Sequence, residues 1–269
     1  MELQQSPLYI SYIKKLGWHT AQTDGSTIIY RYFPLYGGFA KLQRPTKLPS
    51  PETLTKLLKE KRIRRITVEP DATISQEFFD AWREKLPAVR GTPFLPTKTI
   101  LIDLTSSEDE IFKRLAEAKR RAVRRAEKYK ILVKESSDIN ALIAIKSKSA
   151  GLFGGITTYG IRELWSIFSP EHATILLAQY GGVLLVFWKD TAYYWIAGAT
   201  KEGKKLFTPT LLVWEALKVS KKRGCKQFDF VGVWDERLPR GNDSWKGFTK
   251  FKEGFGGTPL YYPIATPHR

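Results

Sequence analysis

The stretch ATILLAQYGGVLLVFWKDTAYYWIAGA, residues 173–199, decides the fold class of this chain. Two apolar runs, Ala173–Gln179 and Val183–Trp188, flank the pair Gly181-Gly182, a composition that reads as a hairpin. A third run, Ala192–Ala197, follows Lys189-Asp190 and continues the antiparallel series. Leu211–Arg223 then reads as a helix and stops at Gly224, a residue at ease in the left-handed conformation that ends helices. FDFV, 228–231, returns to strand. Three antiparallel strands, a helix and one more strand make an α+β unit with a mixed, mostly antiparallel sheet flanked by helices.

Working upstream, LIDLTSSEDEIFKRLAEAKRRAVRRAEKYK, 101–130, opens with a strand, Leu101–Leu104. Ser107 followed by Glu110 is a capping-box pattern, with acids in the first turn, so a helix starts there. Ile111, Leu115, Ala118, Ala122 and Ala126 recur at three- and four-residue steps and give it one narrow apolar face. Between Lys113 and Lys130 nine cations face only Glu117 and Glu127. Like charges at that density repel along a helix unless a polyanion neutralises them, which points to a phosphate backbone. Residues 1–103 read as a second mixed α/β region. Helices are expected at Pro7–Leu16 and Pro51–Arg62, strands at Thr27–Tyr32 and Arg65–Glu69, and a proline-rich connector at 87–98.

The 269 residues carry a net charge of +17, a balance that favours anionic partners. No apolar run reaches the roughly 18 residues that a spanning helix needs. The start, MELQQSPLYISYIKK, lacks the layout of a secretion signal. The single cysteine, Cys225, forms no internal disulfide framework and suits a reducing compartment. His19, His172 and His268 have no metal-ligand spacing, so no metal is expected.

Three motifs carry candidate chemistry. GATKEGKK, 198–205, has the outline of a phosphate loop, but Lys205 stands where a Ser or Thr would hold magnesium, so it reads as a strand–loop–helix connection. AYYWIAG, 192–198, puts Tyr193 and Trp195 on one strand face and Tyr194 on the other; one face reads as core, and the other either meets a ligand in a cleft or only packs. GFTKFKEGFGG, 247–257, gathers Phe251, Lys252 and Phe255 among glycines. A compact cation beside flat rings and approachable backbone suits an anionic, planar ligand. Asp229 in FDFVG points away from Phe228 and Phe230, as either a buried structural carboxylate or a catalytic one.

Four blocks of the sequence resemble the Fem-type (FemA/FemB/FemX) peptidoglycan-bridge aminoacyltransferases. They are QQSPLYISYIKKLGW at 4–18, KTILIDLTSSEDEIFKRLAEAKRRAVRRAEK at 98–128 with Arg120, Val123, Arg124 and Ala126 in register, YYWIAGAT at 193–200, and FDFVGVWD followed by GFTKFKEGFGG within 228–257. The resemblance implies two GNAT-like (N-acyltransferase) domains, the first from 1–103 plus 254–269 and the second from 104–253. It implies transfer of an amino acid from aminoacyl-tRNA to an amine of a peptidoglycan-precursor stem peptide, a cell-wall step that bears on cell shape, with no cofactor. Lys252, Phe251 and Asp229 then become the catalytic candidates. Tyr194, Tyr159, Arg162, Lys41, Arg44 and Lys47 are the candidates for substrate contacts. Arg120, Arg121, Arg124, Arg125, Lys128 and Phe255 are the candidates for tRNA. The family's arginine after the helix at 139–150 is replaced by Leu152 and Phe153. The implied partners are aminoacyl-tRNA and a nucleotide- or lipid-linked precursor. The implied location is the cytoplasm, free or peripheral on the inner face of the membrane. The rival reading is a GNAT-like N-acyltransferase fed by acyl-CoA or acyl-carrier protein, with the pyrophosphate at 198–205.

Overall fold

The computed structural model describes residues 2–150, 158–238 and 243–265. Leu152, Phe153 and His268 lie outside them. The chain divides into two compact units, Met1–Lys98 with Leu260–Arg269, and Thr99–Pro259.

The first unit holds a four-stranded sheet in the order β1 (His19–Thr23), β2 (Ser26–Phe33), β3 (Gly37–Gln43), β4 (Ile63–Glu69). The first three strands are antiparallel, and β4 joins β3 in parallel. That crossover runs through α2 (Pro51–Glu60), which Ser50 caps by accepting the Thr53 N–H, with Pro51 at the first helical position. Helices α1 (Pro7–Lys15) and α3 (Gln76–Glu84) complete the unit. Its core is built on Ile28, Ala40, Leu42, Leu54, Ile66 and Phe79.

The second unit holds a seven-stranded sheet in the order β11 (Thr258–Tyr261), β5 (Lys98–Asp103), β10 (Gln227–Asp229), β9 (Thr191–Ala199), β8 (Gly181–Trp188), β7 (Ala173–Ala178), β6 (Val133–Ser136). β7, β8 and β9 are antiparallel, and β10 joins β9 in parallel. α7 (Ile161–Phe168) precedes β7, and the crossover from β9 to β10 passes through α8 (Lys201–Lys205) and α9 (Thr208–Lys222). Both units therefore repeat one plan: three antiparallel strands, a helical crossover, then a parallel strand. These are mixed, mostly antiparallel sheets flanked by helices, an α+β architecture.

Two local expectations give way to packing. Gly181-Gly182 is not the hairpin turn. The turn is Gln179-Tyr180, with Tyr180 at φ 70°, and both glycines lie inside β8. A Cβ on Gly181 would meet Leu212 and Thr208 of α9 at 2.9 Å, and one on Gly182 would meet Leu142 of α6 (Ile139–Ala150) at 2.9 Å. The glycines let a helix press on each face of the sheet. The basic helix also breaks. The capping box at Ser107–Glu110 opens α4 (Glu108–Arg114), but Leu115 and Ala116 are extended, and α5 (Glu117–Lys128) starts anew. Ala116 N–H donates to Gly254 O at 2.9 Å, a tertiary bond that one continuous helix would forfeit. Ala118 is therefore exposed, and Val123 takes the buried position instead.

Candidate active site

β9 and β10 pair only through Thr191–Tyr193 and Gln227–Asp229. β10 ends there while β9 runs on to Ala199, so the two strands part. Trp195 is an extra residue opposite Leu184 and Leu185, a bulge that shifts the alternation of β9. Past Asp229 the chain kinks. Phe230 N–H donates to Ile100 O, and Val231 adopts φ 63°, a region that a β-branched residue enters only under constraint.

Three groups hold the kink. Asp229 Oδ1 accepts the Val231 N–H at 2.6 Å and the Thr99 hydroxyl. Lys252, on α10 (Lys246–Glu253), donates to Phe230 O at 2.9 Å and to Gly232 O at 2.6 Å. Two of the three ammonium N–H groups are thus fixed and one remains. The Phe248 ring, one turn back on α10 and partly exposed, lies 4.9 Å from Lys252 Nζ. Burial lowers the Lys252 pKa to about 8; the Asp229 carboxylate opposes that shift and Lys146 adds to it.

Lys146 comes from α6. Gly198 of β9 lets that helix close in, since a Cβ there would sit 3.0 Å from Lys146 Cα. Lys146 Nζ donates to Ala197 O at 3.1 Å, beyond the point where β9 loses β10, and burial lowers its pKa. A third cation, Lys119 of α5, lies 3.8 Å over the Phe251 ring, its pKa lowered by burial to about 8. Lys146, Lys119 and Phe248 were not among the sequence candidates. Nothing in their local sequence sets them apart from solvated lysines or an ordinary aromatic.

Residues 162–261 match the FemAB family. No curated protein sequence matches the chain. Among solved structures, FemX is similar over 97% of this chain and 90% of its own, at 14% identity and a TM-score of 0.73. The C-terminal domain of a candidate lysylphosphatidylglycerol synthetase from Agrobacterium fabrum is similar over 99% and 89%, at 12% identity and a TM-score of 0.64. A tandem GNAT protein from the clavulanic acid pathway follows over 92% and 82%, at 9% identity and 0.52. The chain shares its fold with these proteins. Fold and family match together indicate an acyltransferase enzyme.

Within this FemAB/GNAT framework the sequence candidates separate. Phe251 is partly buried under Lys119, whereas Phe255 is fully buried at 0% exposure between Phe230 and Phe251. Phe255 is therefore core and not a tRNA contact. Tyr194 also belongs to the core, packed on Phe228 and Phe230, with its hydroxyl pKa raised by burial, and makes no ligand surface. Asp229 is 5% exposed with Oδ1 occupied twice, which suits holding the kink better than exchanging protons with a ligand.

Arg120 is spent on the chain itself, donating to Lys113 O at 2.6 Å and Leu115 O at 3.1 Å, where it caps the end of α4. Arg121 pairs with Glu117 at 3.5 Å. Arg124, Arg125 and Lys128 are exposed on α5, Arg124 beside Phe112 and Arg125 beside Phe207. Tyr159 is exposed, and Arg162 donates to Asn140 Oδ1.

In the first unit Arg44 is buried, donates to Pro70 O and Pro96 O, and stacks 3.4 Å over Tyr262, so it is structural and not a substrate contact. Lys41 lies 3.9 Å from Phe94 and 4.7 Å from Trp18, with its pKa lowered by burial, and Lys47 is exposed. The GATKEGKK segment forms α8, capped by Thr200 and closed where Gly203 abuts Tyr180 O, rather than an open phosphate loop.

Proposed function

We propose that this protein is an aminoacyltransferase that moves an amino acid from aminoacyl-tRNA to an amine of a peptidoglycan-precursor stem peptide. The observation that carries the reading is Lys252: its ammonium is clamped by two carbonyls at a strained kink where β9 and β10 part, with one N–H left over. An aminoacyl ester is already activated, so no covalent enzyme intermediate is needed, and positioning of amine and ester supplies much of the acceleration. The acceptor nitrogen attacks the ester carbon, and the carbonyl oxygen becomes an oxyanion. The free Lys252 N–H donates to it, an interaction stronger in the transition state than before attack. The intermediate collapses with cleavage of the carbon–oxygen bond, and the proton shed by the attacking nitrogen passes to the departing ribose oxygen.

The exposed cations of α5 give the tRNA phosphates a site that fixes orientation without reading sequence. Arg124→Gln with Arg125→Gln is expected to weaken tRNA binding about tenfold and reduce the slope of log affinity against log salt by about 2, measured by filter binding across a salt series. The location that goes with this reaction is the cytoplasm, with peripheral attachment to the membrane for a lipid-linked acceptor.

The deciding experiment is incubation of the purified protein with mixed charged tRNAs and a precursor peptide, read by mass spectrometry. The reading requires an added aminoacyl residue that RNase abolishes. Stabilisation by acyl-CoA but not by tRNA, with no RNase-sensitive transfer, would replace the donor.

A further inference from the structure

The link between β2 and β3, Phe33-Pro34-Leu35-Tyr36-Gly37, turns its apolar groups outward. Leu35 is 100% exposed and Tyr36 83%, with Phe33 and Tyr32 also exposed beside them. Leu35 takes φ 68°, a left-handed conformation that costs an aliphatic residue roughly 1 kcal/mol and that Gly or Asn adopts more readily. The fold gains no contact from this side chain to offset that cost.

Cationic residues of β2 and of the segment that leads into and starts β4 lie beside the tip. The Arg64 stem lies against Gly37, 3.4 Å from where a Cβ would stand. The Arg62 carbonyl reaches Gly38, the Arg31 guanidinium lies 5.9 Å from the Phe33 ring, and Tyr32 donates its hydroxyl proton to Lys61 O at 2.6 Å. Glu60 is the one acid between Thr53 and Val68, and there is none between Thr27 and Leu48. Arg31, Lys61, Arg62 and Arg64 form no ion pair among the described residues.

We propose that this hairpin tip docks the first unit on an anionic phospholipid bilayer, with Leu35 and Tyr36 entering the boundary between headgroups and acyl chains and Arg31, Arg62 and Arg64 meeting lipid phosphates. An aliphatic side chain at the apex gains nothing from a nucleic-acid backbone. It gains in a bilayer, which needs no shape-matched pocket and places tyrosine rings at headgroup level. Exposed apolar groups beside cations match an anionic membrane surface on both counts. Among the described residues no helix is long and apolar enough to cross a membrane, so such attachment is superficial. The inference gives the membrane-side location proposed above a physical device. It is read from vesicle binding alone, so it can fail while the transfer reaction stands, and the reverse.

The test is co-sedimentation of the whole protein with phosphatidylcholine vesicles, with and without roughly one-third phosphatidylglycerol, at about 0.1 M salt. Binding is expected only to the anionic vesicles. Leu35→Asn with Tyr36→Ser should weaken it roughly tenfold or more. Arg62→Gln and Arg64→Gln should each weaken it roughly fivefold. The thermal midpoint of Leu35→Asn should stay level or rise, because Asn tolerates the left-handed backbone. Equal vesicle binding by wild type and the tip variant would overturn the proposal, leaving only general attraction of a basic protein. So would loss of tRNA affinity in the tip variant with vesicle binding unchanged, which makes the tip an RNA surface. A dimer of wild type that the tip variant abolishes, without vesicle binding, would assign the tip to a second copy.

Discussion

Lys252→Met is expected to slow single-turnover aminoacyl transfer by about 10²–10³-fold, the usual loss when one donor to a developing oxyanion is removed. Methionine keeps the unbranched stem and its packing but carries no donor. Lys252 also braces the kink through Phe230 O and Gly232 O, so the substitution has a structural cost too. Leaving the carbonyls of two buried residues without this donor costs about 1–3 kcal/mol, a fall of roughly 2–12 °C in thermal midpoint. The two roles separate by size, since a purely structural lysine would lower the rate only in proportion to the folded fraction.

The pH dependence gives a second handle on Lys252. The ammonium, not the amine, donates to the oxyanion. Burial brings its pKa to about 8, so transfer should fall as pH rises through about 8. The acceptor amine must be neutral to attack, which sets a rising limb below that point. Arginine stays protonated throughout, so Lys252→Arg should lose the falling limb, whatever rate it retains. A wild-type profile still rising above pH 9 would make Lys252 a base instead.

The parts of this fold that local chemistry dictates were readable in the sequence. Ser107 and Glu110 do form a capping box, Pro51 does open a helix behind Ser50, and the apolar runs around residues 173–197 are strands. What was not readable depends on partners far along the chain. The break at Leu115-Ala116 contains neither proline nor glycine. It arises because Gly254 O and the Arg120 side chain satisfy the backbone there. The pattern Phe251, Phe255 gives no sign of which ring is core, because the helix that carries Phe251 ends at Glu253 and the turn that follows buries Phe255. Lys146 reaches the parting of the strands only because Gly182 and Gly198 allow α6 against the sheet. β3 was not read from the sequence at all; its Gly38 is there so that the backbone of Arg62 can pass 2.8 Å from its missing Cβ.

The glycines of GFTKFKEGFGG then make a prediction opposite in kind to that for Lys252. Gly256 sits at φ 76°, and a Cβ on it would stand 2.3 Å from the Arg114 carbonyl oxygen; one on Gly257 would stand 2.5 Å from Leu101 O. Both are occupied by the chain's own backbone, so they do not open a path for a ligand as the sequence pattern suggested. Gly256→Ala combines an unfavourable left-handed backbone with an overlap that only main-chain movement relieves. It is expected to cost about 3 kcal/mol and lower the second unit's thermal midpoint by roughly 6–12 °C. Gly247, inside α10, has nothing within 4 Å of a would-be Cβ, so Gly247→Ala should be neutral or stabilise by about 0.5–1 kcal/mol. Calorimetry on both variants decides the matter. If Gly256→Ala melted with wild type yet lost transfer, the glycine would belong to the ligand after all. If it melts early and transfers normally while folded, the pair serves to seat the chain after α10 against β5 and α4 and touches no ligand.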